Sequence, residues 1–293
     1  MKVAAIVVTY NRKTLLLEAI AALLNQTYSS MDVLVIDNAS TDGTREAVGL
    51  MIPNDRIRYF HTGANLGGAG GFNYGLKVAY QEGYDAFWLM DDDSIVQEGA
   101  LEAIIHAANL LKDKFGFLCS NVRWTDGTAC KMNVPRIDER WSEYIEQMRQ
   151  GIIPVKIATF VGFYLTRAMV EKIGLPIKEF YIWSDDSNYS MRANREAACY
   201  CVVDSVIVHK MKSNSSSDIV SDESDRLSRY FYSYRNKLYN ARYEKRVGQY
   251  MAQLLKQSVM VIIRAKHKNK KLYYMYKGFF AGLRFNPMEE YVE

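Results

Sequence analysis

The sequence predicts an α/β fold, a mixed and mostly parallel sheet flanked by helices, followed by a basic helical module. Three observations carry that reading. Strand-like and helix-like patterns alternate through the first ninety residues. An apolar run, Ala86 to Met90, leads directly into Asp91, Asp92 and Asp93. Beyond residue 225 the composition shifts to Tyr, Lys and Arg on helical spacing.

Lys2 to Val8 is β-branched and reads as a first buried strand, closed by Thr9-Tyr-Asn-Arg12. Thr14 to Gln26 carries Leu16, Ile20, Leu23 and Leu24 at helical spacing, with Thr14 as a potential N-cap. Met31 to Ile36 is a second strand, stopped by the turn cluster Asp37 to Gly43. Thr44 to Met51 is a short helix and Ile57 to His61 a third strand. A glycine-rich loop, Gly63 to Gly71, precedes a helix running to about Gln81, and the Ala86 strand follows.

The middle is less regular. Leu101 to Lys112 reads as a helix, Phe117 to Val122 as a strand, and Asp126 to Pro154 as an irregular insertion with an amphipathic stretch near Trp141. Lys156 to Leu165 reads as one strand, with a helix from Arg167 to Ile173 after it. Cys199 and Cys201 have neither metal-ligand nor redox-pair spacing and belong in a core strand. Ser213 to Ser224, rich in Ser and Asp, suits a mobile loop. A division follows: an α/β domain over 1–224, with halves 1–95 and 96–224, and a helical module over 225–293.

The chemistry concentrates at strand ends, where open α/β sheets bind ligands. Asp91, Asp92 and Asp93 repel one another unless a cation compensates, and hard oxygen ligands suit Mg²⁺ or Mn²⁺. A solvated acidic turn reads equally well from those three residues alone. Asp37 could accept a hydrogen bond from a base or ribose, or cap the next helix. The run Asn65 to Gly75 permits close backbone approach to a ligand and opens a helix whose N-terminus favours anions. It fits neither the dinucleotide fingerprint nor the P-loop. Trp183-Ser-Asp-Asp-Ser-Asn-Tyr189 is a second acidic site, with Asp186 able to act as a base and Asp185 as a binding group, or with both as helix caps. His209 closes a β-branched run, where a histidine either packs or joins a carboxylate-bound metal.

In this order, Val7-Val-Thr-Tyr-Asn-Arg12, Val35 to Gly43, Asn65 to Gly75, Met90 to Ser94, Trp183 to Asp186 and His209 resemble the family 2 inverting glycosyltransferases. The resemblance covers roughly residues 1–210 and implies a GT-A fold. It implies that Thr9, Tyr10, Arg12, Asp37, Asn65, Gly67, Gly68 and Gly71 hold a nucleotide-sugar donor. It implies a divalent cation, Mn²⁺ or Mg²⁺, on Asp91, Asp93 and His209, with Asp91 and Asp92 also facing the donor. Asp186 is the implied general base, and Trp183 and Asp185 lie on the acceptor side. Gly67-Gly-Ala-Gly-Gly-Phe72 is most similar to the galactofuranosyltransferases, implying UDP-galactofuranose; dTDP-rhamnose is the alternative donor. Ser184 and Asn188 depart from that pattern and leave chain polymerisation open.

From Arg226 to Arg284 there are fifteen Lys or Arg and one acid, Glu244. With interleaved tyrosines, that composition suits a helical module on an anionic membrane surface, and the family resemblance implies a lipid-linked saccharide as the acceptor there. A solvated helical pair is the plainer reading. No nucleic-acid recognition motif accompanies the charge. No apolar run approaches a membrane span. The expectation is a cytoplasmic protein, peripheral at the inner face of a bacterial membrane, serving cell-surface polysaccharide synthesis.

Overall fold

A computed structural model describes residues 1–51 and 54–292; residues 52, 53 and 293, within the expected first half, 1–95, and the C-terminal module, lie outside it. In chain order the elements begin β1 (Val3–Thr9), α1 (Lys13–Leu24), β2 (Met31–Asp37), α2 (Thr44–Gly49), β3 (Ile57–His61), α3 (Gly67–Gln81) and β4 (Ala86–Asp91). They continue with β5 (Ser94–Val96), α4 (Ala100–Leu110), β6 (Leu118–Arg123), β7 (Arg136–Ile137), α5 (Ile145–Arg149), β8 (Ile152–Ile157), β9 (Phe163–Thr166) and α6 (Arg167–Ile173). Last come α7 (Asp185–Glu196), β10 (Cys199–His209), α8 (Tyr230–Tyr243), α9 (Val247–Arg264) and α10 (Lys268–Arg284).

The strands form one mixed sheet in the order β3-β2-β1-β4-β9-β6-β10-β8-β7, with β5 paired to β10. β3, β2, β1 and β4 run parallel, as does β6 with β10, while β9, β5, β8 and β7 are antiparallel to their neighbours. Because side chains alternate along a strand, β1 feeds two cores. Val3, Ala5 and Val7 pack with Leu16 and Ile20 of α1 and Leu101 and Ile104 of α4. Ala4, Ile6 and Val8 pack with Phe72 and Leu76 of α3 on the other face. Helices therefore cover both faces of the sheet.

Several local expectations are corrected. Thr14 does not cap α1; the cap position is Arg12, with no side-chain bond there. Instead Asp42, from the loop after β2, accepts the Lys13 N–H at 2.9 Å and the Thr44 hydroxyl at 2.5 Å, so one carboxylate ties the starts of α1 and α2. The strand expected over 156–165 is two strands: β9 inserts between β4 and β6, while β8 lies beyond β10. Gly162, at φ 75°, allows the reversal and bonds to Leu89 O and Ser120 N. The insertion at 126–154 holds β7 and α5, and α2 stops at Gly49.

The glycine run is also different in kind. It forms the first turns of α3 rather than a loop before it. A Cβ at Gly71 would lie 2.5 Å from Val8 Cγ1, and one at Gly75 would lie 2.6 Å from Ile6 Cγ2. These glycines let α3 lie close on β1 and β2.

The C-terminal helices build a core of their own, in which Tyr230, Tyr234, Tyr250, Leu254, Val261 and Met275 are buried. A second cluster of Ala69, Ile177, Phe180 and Tyr239 joins α8 to the sheet domain.

Candidate active site

Three adjacent parallel strands deliver their last residues to one edge. Thr9 of β1 is in register with Asp37 of β2, and Val8 with Asp91 of β4. The chain then turns through Asp92 and Asp93 into β5, which the sequence did not reveal. In that short antiparallel pair Ser94 lies opposite His209, and Lys210 N–H bonds to Asp93 O at 2.9 Å. β5 thus carries the histidine to the aspartates: ligand atoms of Asp91, Asp93 and His209 lie within 4.8 Å of one another. Two carboxylate oxygens and an imidazole nitrogen suit Mn²⁺ or Mg²⁺, so these residues fit the divalent cation expected of them.

The surroundings of this cluster supply positive charge. Arg12 Nη1 lies 3.2 Å from Asp92 Oδ1 and closer still to Asp93. His209 Nε2 is 2.9 Å from Asp93 Oδ1, and Thr9 Oγ1 donates to Asp92 Oδ2 at 2.8 Å. Burial raises all three aspartates' affinity for a proton, but the partners divide them. Asp91 is pushed up to about 7 by burial and by Asp93. Asp92 is raised to about 6 by burial, held back by Arg12. Asp93 falls below its ordinary value because His209 and Arg12 outweigh its burial. Burial alone would lower His209, yet its bond to Asp93 carries it to about 10.

Two residues that sequence reasoning missed stand behind His209. Asn133 Oδ1 is 2.8 Å from His209 Nδ1, and Cys130 Sγ donates to the same oxygen at 3.0 Å. Both come from the irregular insertion, where no periodicity marked them.

The other residues expected on the donor side lie at the end of β2 and in the loops and helix that follow β1 and β3. Asp37 is fully buried; its Oδ1 accepts Ser40 N–H at 2.8 Å and its Oδ2 the Tyr59 hydroxyl at 2.5 Å. It caps no helix, since α2 begins after Gly43. Tyr10 is exposed just beyond β1. Asn65 Oδ1 accepts Gly67 N–H at 2.9 Å. A Cβ at Gly67 would strike Tyr181 O at 2.1 Å, whereas Gly68 faces open space. Gly67 and Gly71 therefore make room for protein, and Gly68 alone of the glycines expected on the donor leaves its Cβ side clear.

The contact at Gly67 brings α3 against the second acidic site. Asp185 and Asp186 open α7, and Asp186 Oδ1 accepts Ser187 N–H at 2.5 Å. Burial, then Asp186, and more weakly Asp91, raise Asp185 to about 8. Burial likewise raises Asp186. The Trp183 ring lies 5.1 Å from that of Tyr230. Arg229, which precedes α8, is lowered by burial and by the like charges of Arg226 and Arg12. The basic C-terminal segment thus brings Arg229 within electrostatic range of Arg12, which its composition alone did not disclose.

The model of glycosyl transferase family 2 matches residues 4–174. The chain belongs to this family. Galactofuranosyltransferase GlfT1 of Mycobacterium tuberculosis is 27% identical over 250 residues, covering 80% of each chain. The GalNAc(5)-diNAcBac-PP-undecaprenol β-1,3-glucosyltransferase of Campylobacter jejuni is 36% identical over 110 residues, 37% of this chain and 35% of the relative. An uncharacterised glycosyltransferase of Rickettsia felis is 38% identical over 101 residues, and there the match covers only 16% of the relative. Against several relatives, then, the chain spans about a third of their length or less. Among solved structures, Staphylococcus aureus TarS superposes with a TM-score of 0.56 at 15% identity, over 96% of this chain and 71% of that one. GalNAc-T7 with UDP, GalNAc and Mn²⁺ gives 0.60 at 14% identity, over 87% and 54%. Those likenesses establish the GT-A fold of this family 2 member.

Proposed function

We propose that this protein is an inverting, metal-dependent glycosyltransferase that moves galactofuranose from UDP-galactofuranose to a lipid-linked saccharide during cell-surface polysaccharide assembly. The observation that carries the reading is the pairing of two unlike acidic sites. One, at Asp91, Asp93 and His209, is faced by the Arg12 guanidinium, and the other, at Asp185 and Asp186, has no bonded cation among the described residues and is raised in proton affinity by burial. The similarity to GlfT1 over most of both chains supports the donor.

Asp37, Asn65, Gly68, Tyr10 and Thr9 line the donor side, with Asp92 nearest the sugar or ribose. A divalent cation on Asp91, Asp93 and His209 neutralises charge on the departing diphosphate when bound. Arg12, which bonds to Asp92 and Asp93, adds positive charge on the same side as those phosphates, with Arg229 within electrostatic range of it. Asp186 takes the proton of the acceptor hydroxyl, whose oxygen attacks the anomeric carbon as the bond to the diphosphate breaks. Attack from the opposite face inverts that centre. Trp183 and Asp185 orient the acceptor.

The setting is a membrane surface at its cytoplasmic side. Leu255, Val259, Ile262 and Ile263 form an exposed apolar stripe on α9, flanked by Lys256, Arg264 and Lys266. No helix among the described residues is long and apolar enough to cross a membrane.

The deciding experiment is release of free nucleotide from a panel of sugar nucleotides with Mn²⁺, Mg²⁺ or EDTA. Metal-dependent hydrolysis of UDP-galactofuranose alone is the expected result. Preference for dTDP-rhamnose or UDP-glucose overturns the donor and leaves the mechanism standing.

A further inference from the structure

The turn that presents the second acidic site is held in an expensive shape. Tyr181 (φ 63°), Trp183 (66°) and Ser184 (67°) are all non-glycine residues in the left-handed region. Such a backbone persists only where its surroundings over-determine it. Here a single helix provides much of the restraint. Asn236 of α8 is fully buried, and its Nδ2 donates to Phe180 O at 3.0 Å, Ile182 O at 3.1 Å and Trp183 O at 2.8 Å. Its Oδ1 accepts Arg235 Nε at 2.9 Å, which fixes the amide the right way round. One turn later Asn240 Nδ2 donates to Ser184 O at 2.9 Å, while its Oδ1 accepts Asn188 Nδ2 at 3.1 Å. The carbonyls of 180, 182, 183 and 184 therefore all point at two asparagines.

We propose that Asn236 and Asn240 are positioning residues that lock this turn and so aim Asp186 at the acceptor hydroxyl. The inference rests on the assignment of Asp186 as base. Asn236 is sealed from solvent and acts through the backbone alone. Alanine at 236 removes three acceptors' partner at once and lets Trp183 and Ser184 relax out of the left-handed region. The basic helical segment is then part of the catalytic apparatus rather than only a surface anchor.

The test uses the full chain, UDP with Mn²⁺ as the binding probe, and hydrolysis of UDP-galactofuranose as the turnover assay. Asn236→Ala is expected to keep the UDP affinity within about threefold and to lose about 100-fold in turnover, the effect of a small misplacement of a reacting group. Amide exchange over residues 181–188 should accelerate in step. Ser184→Gly in the same background should recover part of the lost turnover, because glycine adopts positive φ without a Cβ penalty. A purely structural joint between α8 and the domain gives no such recovery. Should Asn236→Ala not fold, Asn240→Ala, which loses only the bonds to Ser184 and Asn188, carries the same measurements. Wild-type turnover and exchange in the asparagine variants, with Asp186→Asn impaired, overturns the positioning role. Unimpaired Asp186→Asn overturns the base assignment, and with it the aim given to the two asparagines.

Discussion

The acidic sites at Asp91–Asp93 and at Asp185–Asp186 are alike in composition and opposite in surroundings. The first is faced by Arg12 and His209, and its last member, Asp93, is held below the ordinary carboxylate range. The second lies at the start of α7 with no cation bonded to either side chain among the described residues, and both aspartates are pushed upward by burial. The partial positive charge of a helix N-terminus does not offset that burial here. Environment rather than residue type thus separates the carboxylates: Arg12 and His209 keep Asp93 below its ordinary range, whereas burial dominates at Asp185 and Asp186 as it does at Asp91.

Breaking the first site should have the largest effect. Asp93→Ala removes a ligand and the partner of both Arg12 and His209. Mn²⁺-dependent UDP binding, measured by calorimetry, should be abolished, and turnover with it. Binding that persists with Mn²⁺ and is lost with EDTA would show that the cation sits elsewhere. Asp186→Asn should break the second site alone. Turnover is expected to fall by roughly 10²–10⁴, the usual contribution of a positioned base, with UDP affinity retained. A parallel fall in both quantities would dissolve the distinction between the sites.

How far each site could be read from the sequence follows from how local its determinants are. β1, β2 and β4 appear as apolar runs between turn clusters, because each is buried on both faces and needs no distant partner to define it. The three aspartates were visible for the same reason, since they end such a run. β5 was not: three residues carry no periodicity, and it exists only because His209 and Ser94 pair across the molecule. The single strand expected at 156–165 failed similarly, because the reversal at Gly162 is imposed by Leu89 and Ser120 on neighbouring strands. Asn133, Asn236 and Asn240 gave no signal at all. An asparagine becomes a positioning group only when carbonyls or an imidazole are brought to it by tertiary structure. The glycines of α3 gave a signal that was read too narrowly, since the space they leave at Gly71 and Gly75 is filled by Val8 and Ile6.

A milder substitution probes the proton-holding site without touching the base. Asp185 titrates near 8 in the folded chain against an ordinary 3.8. A raised value in the native state means the folded protein binds the extra proton. The stability linked to that proton is therefore complete below about pH 4 and lost as pH climbs toward 8. Asp185→Asn stays neutral throughout. In protein free of metal and nucleotide, its melting temperature should exceed that of the wild type by a few degrees at pH 8 and match it near pH 4. Equal melting temperatures at both values would mean that Asp185 ionises freely and that the second site is no proton store.

The smallest expected effect sharpens the other side of the comparison. Thr9 is buried, and its hydroxyl is one of the two groups that hold Asp92 toward its charged form, the other being Arg12. Thr9→Val keeps the shape and removes the donor. A hydrogen bond to a charged group contributes about 1.5–3 kcal/mol, and the remaining contact with Arg12 places the loss at the lower end. The bond lowers the Asp92 pKa, so its contribution is present while Asp92 is ionised and fades as pH falls through about 6. Chemical denaturation should therefore show Thr9→Val less stable than wild type by about 1.5 kcal/mol at pH 7.5, narrowing toward pH 5. A penalty independent of pH would mean that Thr9 serves packing alone, leaving Arg12 as the only group that keeps this aspartate charged.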